Sequence, residues 1–587
     1  MQDASLRPLQ IASWTVAVRH SPCGATYITP NLTLGMYPVR LTDRLDEWAR
    51  STPKRTFLAE REPAGGWHRI GYAEFRLQAR RVAQALLDRQ LTPERPIAIL
   101  SGNSIAHAVL ATGAMYAGIP YAPISPAYSL VSSDLKRLRH VFELLTPGLV
   151  FAEEGGQFER AINEVVPAAT PLVVCGNPPR KRSAELFRDF AAAEPRADFS
   201  TAVPDATAKI LFTSGSTGIP KGVITTHRML SSNQEMLRTV FPFFAQEPPV
   251  ICDWLPWHHT FGGSHNFGLV LYNGGTMYID RGRPMPGAFD ESLRNLGEIA
   301  PTGYFNVPKG YELLVQHMSA NAAFREHFFS RLRMAFFAAA GLPQHTWDEF
   351  DRLAIETLGV RIPMLTGLGA TETAPFALCA DKANRRSGVV GLPAPGVELK
   401  LAPVNGKLEA RVRGPNVTPG FWREDQLTQA AFDEEGYYRM GDALQFIDPA
   451  DPNRGFLFDG RLAEDFKLST GTWVSVGPLR AKFILHAAPW VKDVVIAGHD
   501  RDDITALIFP DGGGREVLEP LLREFAQQST GSSNRIARAL ILADAPSLDA
   551  GEVTDKGSIN QAAVLRRRAA LVERLYSAPY APEVIVV

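Results

Sequence analysis

The run Thr213-Ser214-Gly215-Ser216-Thr217-Gly218-Ile219-Pro220-Lys221-Gly222 constrains this chain more than any other stretch. Within ten residues it holds four hydroxyls, three glycines and one lysine. Glycine lets a backbone turn tightly against an anion, hydroxyl and N–H groups donate to phosphate oxygens, and lysine supplies countercharge. The spacing reads as a polyphosphate cradle. Apolar runs at 208–212 and 223–224 flank it, which predicts a loop between two strands or at a strand end. A Walker loop is excluded, because Pro220 and Gly222 bracket Lys221 where that pattern needs Gly before and Ser or Thr after. A flexible Gly/Ser linker is the bland alternative, and linkers rarely end in Pro-Lys-Gly between apolar runs.

The 587 residues are too many for one core, so two or more domains are expected. A net charge of −1 provides no global basic field for nucleic acid or an anionic membrane. Cys23, Cys175, Cys252 and Cys379 are widely separated and lack CxxC spacing, which argues against a zinc site or disulfide framework and for a reducing cytoplasm. The N-terminus shows no basic-then-apolar signal, and no apolar run approaches the roughly 18 residues a bilayer span requires. Oligomeric state, monomer or homodimer, is left open.

Residues 1 to about 40 read as irregular, followed by helices over 41–50 and 73–90. From Pro96 short apolar strands (97–100, 149–151, 172–174, 250–255, 276–279) alternate with helices (105–117, 229–240, 267–272). Such alternation predicts a layered α/β core with parallel strands and ligand loops beyond their carboxyl ends. Past about residue 460 the texture changes to a helix over 474–486, strands at 491–497 and 504–509, and two more helical runs. A small α+β domain is expected there, which divides the chain into 1–460 and 461–587.

At the glycine-rich run the chain resembles the adenylate-forming superfamily, the acyl-CoA synthetases, whose signature loop closes in Pro-Lys-Gly. The resemblance implies two steps. A carboxylate attacks the α-phosphate of ATP to give an acyl-adenylate and pyrophosphate, and a thiol then displaces AMP. It implies a large N-terminal adenylation domain with a small mobile C-terminal lid. ATP, Mg2+ and coenzyme A are the implied cofactors and co-substrates, with Thr213, Ser214, Gly215, Ser216, Thr217, Gly218 and Lys221 around the phosphates. Leu255-Pro256-Trp257-His258-His259-Thr260-Phe261-Gly262 fits the family's Leu-Pro-x-x-His-x-x-Gly, so His259 is implied beside the acyl carboxylate, with Phe261 and Phe267 as walls of the acyl tunnel. On its own a histidine here is as well read as a core residue. The small residues of Ala338-Ala339-Ala340-Gly341 let a flat ring approach the backbone, and the resemblance places adenine on Ala339, Ala340 and Gly341.

Thr366-Gly367-Leu368-Gly369-Ala370-Thr371-Glu372-Thr373 sets a carboxylate among hydroxyls on a Gly-rich turn. That suits Mg2+, which takes few protein oxygens and the rest from phosphate and water. It is similar to the family's Tyr-Gly-x-Thr-Glu, which implies Thr371 on the α-phosphate, Glu372 on Mg2+, and Leu368-Gly369 at adenine, with Leu368 in place of the usual tyrosine. Tyr438-Arg439-Met440-Gly441-Asp442 resembles the segment whose aspartate accepts from both ribose hydroxyls, and Arg461 in Gly460-Arg461-Leu462-Ala463 is implied at ribose or phosphate. Ala463 falls where the family carries its hinge residue. Thr554-Asp555-Lys556-Gly557 matches by neighbourhood the lid segment that carries the adenylation lysine, which implies Lys556. Several of these stretches look most like feruloyl-CoA synthases, pointing to a hydroxycinnamate-type acid. The alternatives are a medium- or long-chain fatty acid, a benzoate-type acid, or a nucleotide-binding protein impaired in turnover.

Overall fold

The computed structural model describes residues 4–196, 198–199, 203–214, 219–285, 287–554 and 557–587. The glycine-rich run joins two antiparallel strands, Thr207–Ser214 and Pro220–Thr226, with Thr213 opposite Lys221. They form one edge of a seven-stranded sheet that continues through the parallel strands Tyr121–Ile124, Ile97–Leu100, Leu149–Glu154, Leu172–Gly176 and Glu185–Leu186. Strands covered on both faces read as unbroken apolar runs, and Ile97–Leu100 and Tyr121–Ile124 are buried throughout. The crossover helix Ile105–Ala117 starts at Ser104, whose hydroxyl accepts from His107 N, and stops at Gly118 with φ of 70°.

A second sheet of eleven strands holds Gly303–Asn306, Met334–Phe337 and Met364–Gly369 in parallel at one edge. From Met364–Gly369 onward the pairing is antiparallel through Phe376–Cys379, Val389–Pro393, Phe456–Arg461, Tyr438–Phe446, Lys407–Arg413, Glu398–Val404 and the hairpin Val16–His20/Thr26–Pro30. The parallel strands expected between 97 and 279 pair as such in the other sheets, whereas most of this one, whose strands lie outside that reading, is antiparallel. Its physical reason lies in turns such as Asn405-Gly406, both left-handed at φ 52° and 81°, which reverse the chain in two residues where a parallel pair needs a long crossover. The reading of the first 40 residues as irregular is corrected, since Val16–His20 and Thr26–Pro30 pair across the Pro22-Cys23-Gly24 turn. A four-stranded sheet (Val250–Asp253, Thr276–Ile279, Thr56–Arg61, Trp67–Gly71) completes the large part.

The C-terminal part has its own sheet, Val491–Ala497, Ile504–Pro510, Ile536–Ile541 and Ile585–Val586, and its own apolar core around Phe483, Leu522 and Phe525. Strand Phe456–Arg461 still belongs to the eleven-stranded sheet. Just beyond it Lys407 Nζ donates to Asp459 O at 2.6 Å and pairs with Asp465 Oδ2 at 2.6 Å, while Asp465 Oδ1 accepts from Val476 N at the start of helix Val476–His486. A second crossing joins the two parts where Asp549 Oδ2 accepts from Ser133 N and Oγ at 2.9 and 2.6 Å.

Candidate active site

Lys221 crosses from its strand to Glu372, with Nζ 3.1 Å from Oε1 and the Phe421 ring 4.1 Å beneath the ammonium. Glu372 is only 6% exposed, and it also accepts from the Tyr438 hydroxyl, whose own proton is held more tightly by burial and this carboxylate. Its carbonyl accepts from Thr418 N at 2.8 Å. The turn Thr371–Thr373 that carries it is pinned from behind by two fully buried asparagines. Asn233 Nδ2 donates to Phe376 O at 2.9 Å and Asn416 Nδ2 to Thr373 O at 2.9 Å. Side chains cannot grow into this corner: a Cβ on Gly367 would strike Leu378 O, and one on Gly369 would strike Pro375 O. On the opposite strand Thr213 Oγ1 is buried without a hydrogen-bond partner among the described residues, a donor free for an anion.

Asp442 sits opposite Arg461 in register, with Oδ1 3.6 Å from Nε. Burial pushes its carboxyl up to about 6, Arg461 pulls it down, and Glu464 and Glu372 push it further up. Leu368 is half-buried beside exposed Gly369, and Ala339, Ala340 and Gly341 leave an open face of small residues, Ala339 held left-handed at φ 73°. The structure thus brings Thr213, Lys221, Thr371, Glu372, Asp442 and Arg461 around one cleft through strand pairing and ion pairs. Ser214 ends its strand; Gly215, Ser216, Thr217, Gly218 and Lys556 lie outside the described residues.

These groups fit Mg2+ and a nucleotide. Glu372 offers one buried carboxylate, the small protein contribution Mg2+ takes when phosphates supply the rest, and Lys221 with Thr213 matches an anionic chain. No cluster of three His, Cys, Asp or Glu side chains able to hold a metal alone occurs among the described residues. Bound there, the ion would neutralise phosphate charge.

His259, half-buried, begins the second half of the site, its ring centroid 4.1 Å from that of His258. A π-helix, Phe261–Asn266, follows, the wide turn that recurs at functional sites. Gly262 and Gly263 are required here because a Cβ would collide with the carbonyls of Leu255 and Trp257. Lys209, on the strand leading into the glycine-rich run, is fully buried and donates from Nζ to Gly263 O at 2.8 Å; burial pulls its ammonium down to about 7. Phe261 packs with His265 and Phe336 at 5.4 and 6.2 Å between centroids. Phe267 does not join it. That ring turns into the core against Phe57 and Trp257, which corrects its expected place on the acyl wall.

The AMP-binding enzyme family matches residues 45–422, and the AMP-binding enzyme C-terminal domain matches 466–579. The chain belongs to the AMP-binding enzyme family. Among curated relatives, a malonate–CoA ligase of Arabidopsis thaliana is 26% identical over 54% of this chain and 52% of its own length. A 4-coumarate–CoA ligase-like protein of Oryza sativa subsp. japonica is 26% identical over 79% of this chain and 82% of its own. The match therefore spans about half of the first relative and about four fifths of the second. Of solved structures, ATP-bound MatB from Rhodopseudomonas palustris superposes with a TM-score of 0.72 at 24% identity, covering 92% of this chain and all of that one. The fold is accordingly that of a large N-terminal and a small C-terminal domain. No helix among the described residues is long and apolar enough to cross a membrane.

Reading the sequence of this AMP-binding enzyme left several cleft residues unassigned. Tyr438 lay within a quoted motif, but nothing in that motif announces its hydrogen bond to Glu372. Lys209 had a local signal, a charge in the middle of an apolar strand. Asn233, Asn416 and His265 had none: the two asparagines meet carbonyls far along the chain, and His265 packs against rings at positions 305, 336 and 376.

Proposed function

We propose that the whole protein activates a hydroxycinnamate-type aromatic acid, of which ferulate is the type, to its acyl-adenylate and then to its coenzyme A thioester. The observation that supports this best is the ring cluster of Phe261, His265, Phe305, Phe336 and Phe376, which begins two residues beyond His259. Flat aryl groups pack edge-to-face or offset among such rings more favourably than a flexible alkyl chain does. The likeness to a 4-coumarate–CoA ligase-like protein points the same way, and that to malonate–CoA ligase supplies the rival acid.

A carboxylate is a poor electrophile because its charge repels nucleophiles and oxide is a poor leaving group. Adenylation removes both obstacles. Building charge on the attacked phosphorus calls for fixed donors, which Lys221, Thr213, Thr371 and the glycine-rich run supply from the large domain and Lys556 supplies from the lid. Asp442 accepts from the ribose hydroxyls, Arg461 steadies ribose or phosphate, and Leu368 with Ala339, Ala340 and Gly341 receives adenine. His259 orients the acid. Residues 1–460 form the adenylation domain and 461–587 the lid, which rotates near Ala463 between the two half-reactions. Coenzyme A brings its own thiol, so none of the four free cysteines is needed, and their reduced state suits a cytoplasmic site.

Incubation with ATP, Mg2+, coenzyme A and ferulate, followed by thioester absorbance, tests the reading against octanoate, benzoate and malonate. Ferulate should be turned over with the highest kcat/KM. Higher kcat/KM for any of the other acids overturns the substrate class, and absence of pyrophosphate release with all of them overturns ligase activity.

A further inference from the structure

Glu552, in the loop that precedes helix Gln561–Arg567 of the C-terminal part, is a carboxylate with 0% exposure. Charge so far out of water persists only when it is paired and hydrogen-bonded. Arg568 donates from Nε to Oε1 at 2.7 Å and from Nη2 to Oε2 at 3.1 Å, Arg567 from Nη1 to Oε2 at 2.6 Å, and Ser547 N to Oε2 at 2.9 Å. Burial alone would raise the carboxyl. The hydrogen bonds from Arg568 and Ser547, with the charges of both guanidiniums, outweigh it and hold the group below the ordinary carboxylate range. Arg568 also reaches the carbonyls of Asp544 and Ala545, so one carboxylate gathers the stretch 544–553 onto the end of the helix. That loop meets the large part at Asp549, which takes Ser133 N and Oγ. Beyond Glu552 it closes in a turn. Asn560 N donates to Glu552 O at 2.9 Å, Val553 pairs with Ile559, Thr554 N donates to Ser558 O at 2.9 Å and Gly557 N to Thr554 O at 3.0 Å. Lys556 falls in sequence between Thr554 and Gly557 and is itself outside the described residues. The two arms that flank it start at Glu552 and Asn560.

We infer that Glu552 is a positioning residue for adenylation: with Arg567 and Arg568 it locks the loop, so that docking Asp549 on Ser133 sets the place of the turn that carries Lys556. This rests on Lys556 being the lysine that the lid brings to the attacked phosphorus, and it adds the group that holds that lysine in place. An apolar plug would bury such a loop as firmly as an ion cluster does. What the cluster adds is direction. Both carboxylate oxygens accept along fixed N–H lines from a backbone amide and two planar guanidiniums, which leaves the loop one orientation on its helix. The role is confined to the half-reaction that uses the lysine. In thioester formation from a finished adenylate the thiol attacks the acyl carbon and no charge is built on phosphorus, so loss of the clamp should spare that step.

The test assays the two half-reactions separately in the full-length native enzyme and in K556A, E552Q and R567M: ATP–pyrophosphate exchange, and thioester formation from preformed acyl-adenylate and coenzyme A. The acid is ferulate, octanoate, benzoate or malonate, whichever the native enzyme exchanges fastest. E552Q keeps the shape of the side chain but turns an accepting oxygen into a donor facing a guanidinium. It should slow exchange at least about tenfold, towards the roughly 10²-fold cost of a reacting group misplaced by about 1 Å. Its thioester step should stay within about threefold of native, a split that a lid loosened as a whole would not give. K556A should slow exchange by about 10² or more and likewise spare the thioester step. Native exchange in K556A overturns the reading of Lys556 and this inference with it. Exchange lost in K556A but native in E552Q, or both steps reduced alike in a folded E552Q, overturns the inference alone. Should E552Q not fold, R567M decides, since it removes only the half-exposed arm of the cluster. Exchange reduced at least about threefold with the thioester step intact supports the clamp; both steps native or both reduced overturns it. No exchange by the native enzyme with any of the acids overturns ligase activity and the inference together.

Discussion

At the scale of single residues, Glu372 is held by Lys221, Tyr438 and two asparagine-clamped carbonyls, a rigidity a surface carboxylate would not need. E372Q keeps the shape and removes the charge. ATP–pyrophosphate exchange should fall roughly 10²- to 10³-fold, the usual loss when one preorganised electrostatic group is removed; unchanged exchange would remove Glu372 from the site. Asp442, with its carboxyl pushed up to about 6, gives a pH test. Only the ionised form accepts from both ribose hydroxyls, so KM for ATP should rise as pH falls through 6, and D442N should show a high KM without that inflection. Lys209 gives a stability test. Its ammonium titrates near 7 when folded against an ordinary 10.5, so between these values the unfolded chain binds more protons and stability rises with pH. Measured against K209M by denaturant unfolding, the native enzyme should gain up to ~1.4 kcal/mol per pH unit from pH 7 towards 10.

At the scale of elements, helix Ile105–Ala117 and strands Ile97–Leu100 and Thr276–Ile279 have the bounds their apolar patterns announce, because burial on one stripe or both faces leaves its period in the sequence. The π-helix Phe261–Asn266 leaves no such mark. It forms where Leu255 and Trp257 present carbonyls to Gly262 and Gly263, and where Lys209 caps the Gly263 carbonyl from another sheet. G263A should cost about 3 kcal/mol or more, since an added methyl meets backbone rather than a yielding side chain. The same variant should raise KM for the acid, because His259 is tied to this turn through the Gly263 N to His259 O bond of 2.8 Å. A melting temperature equal to that of the native enzyme would show that the turn has room. The antiparallel half of the eleven-stranded sheet was legible only in part: Asn405-Gly406 is a hairpin signal, but the order in which Phe456–Arg461 slips between Tyr438–Phe446 and Val389–Pro393 is not written in any local pattern.

At the scale of the whole molecule, the contacts that hold the lid against the large part include Lys407 with Asp465 beside the proposed hinge, and Ser133 with Asp549 at a distance from it. The first survives a rotation about Ala463, since it lies at the axis; the second cannot. A disulfide between S133C and D549C should therefore hold one lid position. Under oxidising conditions we expect one half-reaction, ATP–pyrophosphate exchange or thioester formation from a preformed adenylate, to proceed and the other to fall by at least about tenfold, with reductant restoring it. Retention of both half-reactions in the crosslinked protein would mean that the lid need not leave this position.

The amino-acid order alone pointed to the chemistry of the loop, since hydroxyls, glycines and a lysine packed between apolar runs suit an anion cradle, and it settled which segments bury themselves, because burial is periodic. It also marked the change of texture near residue 460. It could not show that Lys221 would meet Glu372, 151 positions on, or that Tyr438 would donate to the same carboxylate. Those pairings follow from strand order and from sheets brought face to face. Local propensity carries no information about a neighbour hundreds of residues away, and only the closed fold puts a donor opposite an acceptor.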